Sequence, residues 1–447
     1  MSNEDRLVRA ITDRARPFSG ASKDFDPLLE LTGGASCVMI GEASHGTHEF
    51  YQQRAELTKR LILEQGFVAV AAEADWPDAY RVNRYVRGLG FDADAEEALA
   101  GFLRFPAWMW RNADVLDFVG WLREYNDARS PHEKVGFYGL DLYSLHGSIA
   151  AVLAYLDSAD PAAAERARSR YACLEHFGPE PERYAYATHL GLSPDCEREV
   201  IAQLVELQQR KASMLRRDGL AAEDEYFEAE QNARVIKNAE TYYRSMFGGQ
   251  IASWNLRDTH MADTLDALFA HLGRRFQQPK IVVWAHNSHV GNARATELGA
   301  EGEINIGELA CKRHPEKIVL IGFSTYTGTV TAASDWGGSV QRMRVQTALP
   351  KSYEEVFHRL GEPGFSLLLR DFEDGELQSL VDEPRLQRAI GVVYKPETER
   401  LSHYFHVQLR REFDAIIHID RTRALEPLEC TSQWQHGEAP ETFPTGI

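Results

Sequence analysis

Eight short apolar runs constrain the fold of this chain more than any other feature: residues 37–40, 67–72, 135–140, 281–285, 318–323, 365–369, 390–394 and 413–419. Each has the length of a strand and is apolar at consecutive positions, so both faces must be covered. Helical patterns separate the early runs. A βα alternation of this kind predicts an α/β fold with a mostly parallel central sheet flanked by helices. Between about residues 158 and 248 the pattern changes to an Ala-, Glu- and Arg-rich stretch without strand signals. Val200, Leu204 and Leu207 recur there at helical spacing, as do Tyr226, Ala229, Ala233, Ile236, Glu240, Tyr243 and Phe247. The expected organisation is an α/β core over 1–157, a helical insertion over 158–248 that caps or supports the site, and a second part of the core over 249–447. The tail from Leu425 reads as irregular.

Composition narrows the function. The 447 residues carry a formal net charge of −18, which argues against nucleic acid as a partner, because phosphate binding needs a basic face. No apolar run approaches the roughly 20 residues of a membrane span, so no membrane partner is expected. The N-terminus, MSNEDRLVRA, lacks an apolar signal region, and a cytoplasmic location is expected. The five cysteines, Cys37, Cys173, Cys196, Cys311 and Cys430, are scattered and odd in number, a pattern of reduced thiols. No heptad run is long enough to set an oligomeric state.

The strand runs carry chemistry at their carboxyl ends. They lead into Glu42, Glu73, Asp141 and His286. Ligands of open α/β sheets bind beyond those ends, so four ionisable residues there point to one cleft. The densest segment is GEASHGTHEF, which holds Glu42, His45 and Glu49 and joins the first of these runs to a helix reaching about Gln65. Gly46 permits a tight turn and Thr47 is placed as an N-cap. On that helix Phe50, Arg54, Leu57 and Leu61 form one stripe, which puts an arginine where an apolar residue belongs. Arg54 is then either half of a structural ion pair, with Glu49 as a candidate, or faces the carboxylates or the substrate. WAHNSHVG places His286 and His289 three apart, on one side of the chain if a helical turn starts there. In the helical region Glu240 falls on the apolar seam and reads as a hydrogen-bonded core carboxylate. Arg257-Asp258 reads as an exposed pair on a helix, the commonest fate of such a dipeptide. Trp108 and Trp110 either line an apolar pocket or belong to the core.

Three mechanisms are excluded by their missing motifs: the G-x-S-x-G serine, the phosphate-binding P-loop and the H-E-x-x-H zinc site. A histidine–carboxylate constellation remains. It suits general-base activation of water, and it also suits a divalent metal, for which Glu42, His45, Glu73, His286 and His289 are the candidate ligands.

The segments GEASHGTHEF, AVAAEADW, NLRDTHMADTL and WAHNSHVG, with GFSTYTGTV, YKPETERLSHYFH and FDAIIHIDRTRALEPLE, resemble the erythromycin esterase family over nearly the whole chain. The resemblance implies an α/β core with a helical region and hydrolysis of a macrolactone ester. It places the water-activating base on His45. The family's motif residues fall on Glu42, Glu73, Arg54, His286, His289 and Glu49. No cofactor is required by this reading, although a divalent metal ion is an open alternative. The expected partner is a small-molecule ester. In the expected mechanism Glu42 or Glu73 orients His45, and His286, His289 or Arg54 stabilises the oxyanion. Glu49, Asp141, Arg257 and Trp108 are the candidate substrate-binding residues. The competing readings are a family homologue acting on another substrate in polysaccharide or natural-product metabolism, and a protein that binds a metal or ligand without turning it over.

Overall fold

The computed structural model describes residues 2–177, 181–214, 220–372, 375–431 and 434–435. Its strands, in chain order, are β1 (Arg16–Pro17), β2 (Cys37–Ile40), β3 (Ala69–Asp75), β4 (Gly136–Asp141), β5 (Ile281–Trp284), β6 (Ile318–Ser324) and β7 (Thr327–Ala332). They continue with β8 (Gln341–Val345), β9 (Gly364–Leu368), β10 (Arg385–Arg388), β11 (Tyr404–Val407), β12 (Ala415–Ile419) and β13 (Arg421–Thr422).

The central sheet has eight strands in the order β1-β9-β12-β6-β2-β5-β3-β4. From β12 to β4 all neighbours are parallel, and β9 and β1 extend one edge antiparallel. The expected mostly parallel sheet flanked by helices is therefore present. Strand β2 explains why its run is apolar throughout. Val38 and Ile40 enter one core and Cys37 and Met39 the other, so successive side chains leave opposite faces into separate apolar layers. On one face the helix His48–Gln65 packs through Phe50, Leu57 and Leu61. On the other, Gln250–Leu272 packs through Met261, Leu265 and Leu268.

Seven of the eight apolar runs lie on strands. Residues 390–394 do not. Their polar backbone groups are divided between two neighbours: Ile390 N donates to Ala43 O at 2.8 Å and Tyr394 N to Ala333 O at 3.0 Å. The segment thus crosses from the His45 turn to the end of β7, making only isolated bridges to Ser44 and Ala333. The antiparallel pairs β7–β8 and β10–β11 were not legible, because TGTVTA, QRMRV and RLQR are too polar to stand out as buried runs.

Between 158 and 248 the described residues lie mainly in the helices Pro161–Glu175, Pro181–His189, Glu197–Met214 and Leu220–Ser245. With Leu145–Ala159 they build a core of their own around Val152, Tyr171, Ala233 and Ile236. Glu240 is fully buried there, accepting from Tyr184 Oη at 2.6 Å and pairing with Arg244 at 2.8 Å. Phe247 departs from the expected stripe and is half exposed. The expectation of reduced cysteines fails at one pair: Cys173 and Cys196 form a disulfide. Cys173 lies near the end of the helix Pro161–Glu175 and Cys196 just before Glu197–Met214, and the packing of these two helices brings the sulfurs together, which the spacing alone did not reveal. Among the described residues no helix is long and apolar enough to cross a membrane. Of the tail, 425–431 is irregular, while 432–433 and 436–447 lie outside the described residues.

Candidate functional site

Strands β2, β5, β3 and β4 are consecutive in the sheet, so Glu42, His286, Glu73 and Asp141 stand in a row along its carboxyl edge. Above them opens a cleft of about 650 Å³, lined by His45, Glu73, Asp141, Arg257, His286 and His289 among others. Its lining also includes the ionic residues Asp75 and Arg104 and the apolar or aromatic residues Met109, Trp110, Trp254 and Val392.

His45 sits in the turn after β2. Its Nδ1 lies 2.8 Å from Glu42 Oε1, so the Nδ1–H donates to the carboxylate and Nε2 keeps the lone pair. The turn is forced close to β7: a Cβ on Gly46 would lie 1.8 Å from Thr331 O, and only glycine fits. Thr47 occupies the N-cap position but its hydroxyl bonds Ser44 instead.

Arg54 is fully buried. Its Nη1 lies 3.0 Å from Glu42 Oε2, without the alignment of a hydrogen bond. Its guanidinium is held between the rings of Tyr51 at 4.4 Å and Trp284 at 4.8 Å. Arg54 thus faces a carboxylate and stands behind Glu42, away from the cleft lining. Its expected alternative partner is elsewhere. Glu49 pairs with Arg423 at 3.5 Å, accepts from Arg423 N at 2.8 Å and does not line the cleft.

Glu73 links the two halves of the site. Its Oε2 accepts from His286 N at 2.9 Å and its Oε1 from Arg257 Nη2 at 2.6 Å. Arg257 also clamps Asp141 through Nε at 3.0 Å and Nη2 at 2.6 Å. Burial pushes the Glu73 carboxyl up, but the charges of His289, Arg257 and His45 outweigh it and hold the group well below the usual range. For Asp141 burial is likewise outweighed by Arg257, and the net direction is down.

His286 and His289 do share a helical turn, Asn287–Val290, with His286 at its N-cap. His286 Nδ1 accepts from Ser288 N at 3.3 Å and lies 2.8 Å from Ser288 Oγ, which places the ring proton on Nε2. That Nε2 is buried without a hydrogen-bond partner. Burial, then the neighbouring His45, hold this imidazole well below its ordinary pKa. The two rings lie 4.8 Å apart. His289 is different. Burial pulls its pKa down, but Asp258 at 2.9 Å and Glu73 at 3.3 Å raise it to about 9. Its ring stacks on Trp254 at 4.4 Å.

The expectation of an exposed Arg257-Asp258 pair is overturned. Asp258 is fully buried, and Arg257 lies within the ionic network. Arg257 is drawn in by Glu73 on β3 and Asp141 on β4, and Asp258 by His289 and the Ile306 N–H, partners that an isolated dipeptide does not show. Trp108 belongs to the core rather than the cleft, and Trp110 lines it. The residues missed by sequence reading are Asp75 and Arg104, paired at 2.9 Å, with Tyr143, Trp254 and Asp258. Asp75, two positions beyond Glu73 on the same strand, was the available signal. The described residues between 158 and 248 contribute none to the lining of this cleft. Tyr242 reaches Tyr143 hydroxyl to hydroxyl at 3.2 Å.

The metal candidates do not fit a metal as arranged. Among the described residues no three His, Cys, Asp or Glu side chains are grouped to hold one. The Arg257 guanidinium occupies the space between Glu73, Asp141 and His289, with Nη1 3.0 Å from His289 Nε2. Glu42 is taken up by His45 and Arg54.

An imidazole–carboxylate pair at the carboxyl edge of a mostly parallel sheet, beneath a cleft, marks an α/β protein with groups of the kind that acid–base chemistry uses. Residues 62–422 match the family model described as Erythromycin esterase, and the chain belongs to the erythromycin esterase family. Membership supports an esterase or other hydrolase activity. A curated relative, erythromycin esterase type II of Escherichia coli, is 23% identical over 422 residues, covering 90% of this chain and 93% of the relative. Among solved structures, a Bacillus cereus protein shares the fold with a TM-score of 0.79 at 20% identity, covering 96% of this chain and 100% of the other. A protein described as a succinoglycan biosynthesis protein has a TM-score of 0.75 at 22% identity over 95% and 98% of the two chains. A mutant of the erythromycin esterase EreC in its open conformation has a TM-score of 0.65 at 17% identity over 92% and 97%.

Proposed function

We propose that this protein is a hydrolase that opens an ester, macrolactones included, by attack of water activated at His45. The observation that carries this reading is the 2.8 Å contact between His45 Nδ1 and Glu42, with His45 on the cleft floor beside His286. The contact orients the ring so that the Nε2 lone pair can take a proton from water. Glu42 then stabilises the imidazolium, and Arg54 pins Glu42 from behind. Water oxygen bonds to the carbonyl carbon, and the electron pair of the C=O moves to oxygen. His286 Nε2–H borders the cleft with no well-aligned hydrogen bond among the described residues and is assigned to that oxyanion. Glu73 fixes His286 through the backbone N–H. Collapse of the intermediate breaks the ester C–O bond, and the alkoxide takes the proton back from His45. The products are an acid and an alcohol, with no covalent enzyme intermediate. The substrate is a small molecule, and macrolides are the first class to try.

The test is incubation of purified protein with a panel of macrolides, followed by mass. A product heavier by one water, lost in His45→Ala, is the expected outcome; a general base of this type contributes about 10²–10⁴ in rate. Folded protein that leaves every macrolide intact would remove the macrolide substrate and send the search to other esters. A mass change other than one added water would overturn hydrolysis.

A further inference from the structure

Strand β2 leaves the sheet before β6 does. The two pair as far as Ile40 opposite Ile321, and Gly41 N still donates to Ile321 O at 2.8 Å. Phe323, two residues further along β6, turns its N–H and C=O to the same side, where β2 has already turned off towards Glu42 and His45. Both groups are met by one side chain. Asn287 Nδ2 donates to Phe323 O at 2.8 Å, and Phe323 N donates to Asn287 Oδ1 at 3.3 Å. A primary amide carries the donor and the acceptor of a peptide group, so Asn287 completes the ladder where β2 is missing. Gly41 leaves the room for it, since a Cβ there would lie 2.1 Å from Asn287 Oδ1. The Asn287 backbone is tied as well: its N donates to Glu42 O at 2.9 Å. One residue is thus fixed to β6 by its side chain and to Glu42 by its backbone, and it is the covalent neighbour of His286. Glu42 in turn holds His45, whose ring lies 4.8 Å from that of His286. Asn287 is only 1% exposed and does not line the cleft, so it does not touch the substrate.

We propose that Asn287 is a positioning residue of the site: by standing in for β2 against β6, it sets the spacing between the His45 base and the His286 donor. What that spacing serves rests on the hydrolase reading above. The amide lets β2 end early, which frees Glu42 and His45 to turn into the site, without leaving the buried Phe323 backbone unpaired. It also locks the turn of β2 to the start of the His286 helical turn, so the two imidazoles cannot drift apart independently.

The test uses Asn287→Ala and Asn287→Asp. The aspartate keeps the volume but replaces the donor to Phe323 O by an acceptor, and it serves if the alanine variant does not fold. With a macrolide or p-nitrophenyl ester that the wild type turns over, kcat is expected to fall about 10- to 100-fold, the cost of a displacement near 1 Å, with KM little changed. In a His286→Ala background the same substitution should cost far less, because the donor it spaces is gone. An unchanged kcat, or an equal factor in both backgrounds, would overturn the proposal; the second result is that of a merely structural role. Nuclear magnetic resonance of protein labelled with carbon-13 histidine reads the spacing without any ester. The wild type is expected to show a contact between the His45 and His286 rings, assigned by its loss in His45→Ala, and folded Asn287→Ala is expected to lose it. Loss of that contact with every ester inert keeps the positioning role and counts against the hydrolase. A contact that persists in Asn287→Ala, with hydrolysis unchanged, does the reverse.

Discussion

At the scale of single residues, the site separates its histidines by environment. His45 and His286 lie over the cleft floor, whereas His289 is surrounded by Asp258 and Glu73. The raised pKa of His289 has a consequence for stability. Its folded value, about 9, exceeds the unfolded value of about 6.5, so its contribution is complete below pH 6.5 and is lost as pH rises through 9. His289→Gln should therefore lie furthest below the wild type near pH 6, and the gap should narrow by pH 10. Urea unfolding midpoints across that range measure it, and a gap that stays constant would show that His289 stabilises by packing alone. Glu42, Glu73, Asp141 and His286 were legible as a set because each follows an apolar run by one or two positions, and His45 because it lies in the dense segment that leaves the first run. Arg54 was legible as an anomaly, yet its partner was not. Glu42 and Glu49 are both within reach on paper, and only the packing of Tyr51 and Trp284 around the guanidinium selects Glu42.

At the scale of elements, the turn after β2 is set by contact with β7. Gly46→Ala would force the turn away from Thr331 O and carry His45 with it. The expected result is a loss of about 1–3 kcal/mol in stability, as for other overpacked sites, with a larger fall in turnover than in binding. Thermal unfolding beside steady-state kinetics checks this; unchanged kinetics would mean that His45 is placed independently of the turn. The helical region makes a second prediction. The Cys173–Cys196 bond closes a sequence separation of 23 residues, a loop whose constraint is worth roughly 3 kcal/mol in the chain-entropy model. Cys196→Ser should lower the unfolding free energy by about that amount. Turnover should be retained, since the described part of the region supports Tyr143 without lining the cleft. A variant that loses turnover while still folded would place the helices closer to the chemistry than their contacts do.

At the scale of the whole molecule, two apolar layers on either side of the sheet leave its carboxyl edge as the place where charged groups from four strands converge. Arg257 enters from the helix Gln250–Leu272 and neutralises two of those carboxylates. Because it fills the space between the donors, hydrolysis should survive exhaustive dialysis against a chelator. Elemental analysis beside the mass assay tests this, and activity lost with the chelator and restored by one metal would reassign the candidate ligands.

The apolar runs by themselves determined the α/β class, because a run buried on both faces has few homes other than the middle of a sheet. The spacing of ionisable residues after those runs determined most of the cleft floor, because a strand delivers its next residues to one edge. Tertiary structure decided the rest. The Arg257 pairs with Glu73 and Asp141, the Asp258–His289 pair, the Asp75–Arg104 pair and the disulfide all join residues separated in sequence. So does the path of 390–394, whose apolar run reads as a strand until its backbone partners are known. Periodicity reports which face of an element is buried. It carries no information about which distant group meets that face, and the charges of the cleft are settled by that meeting.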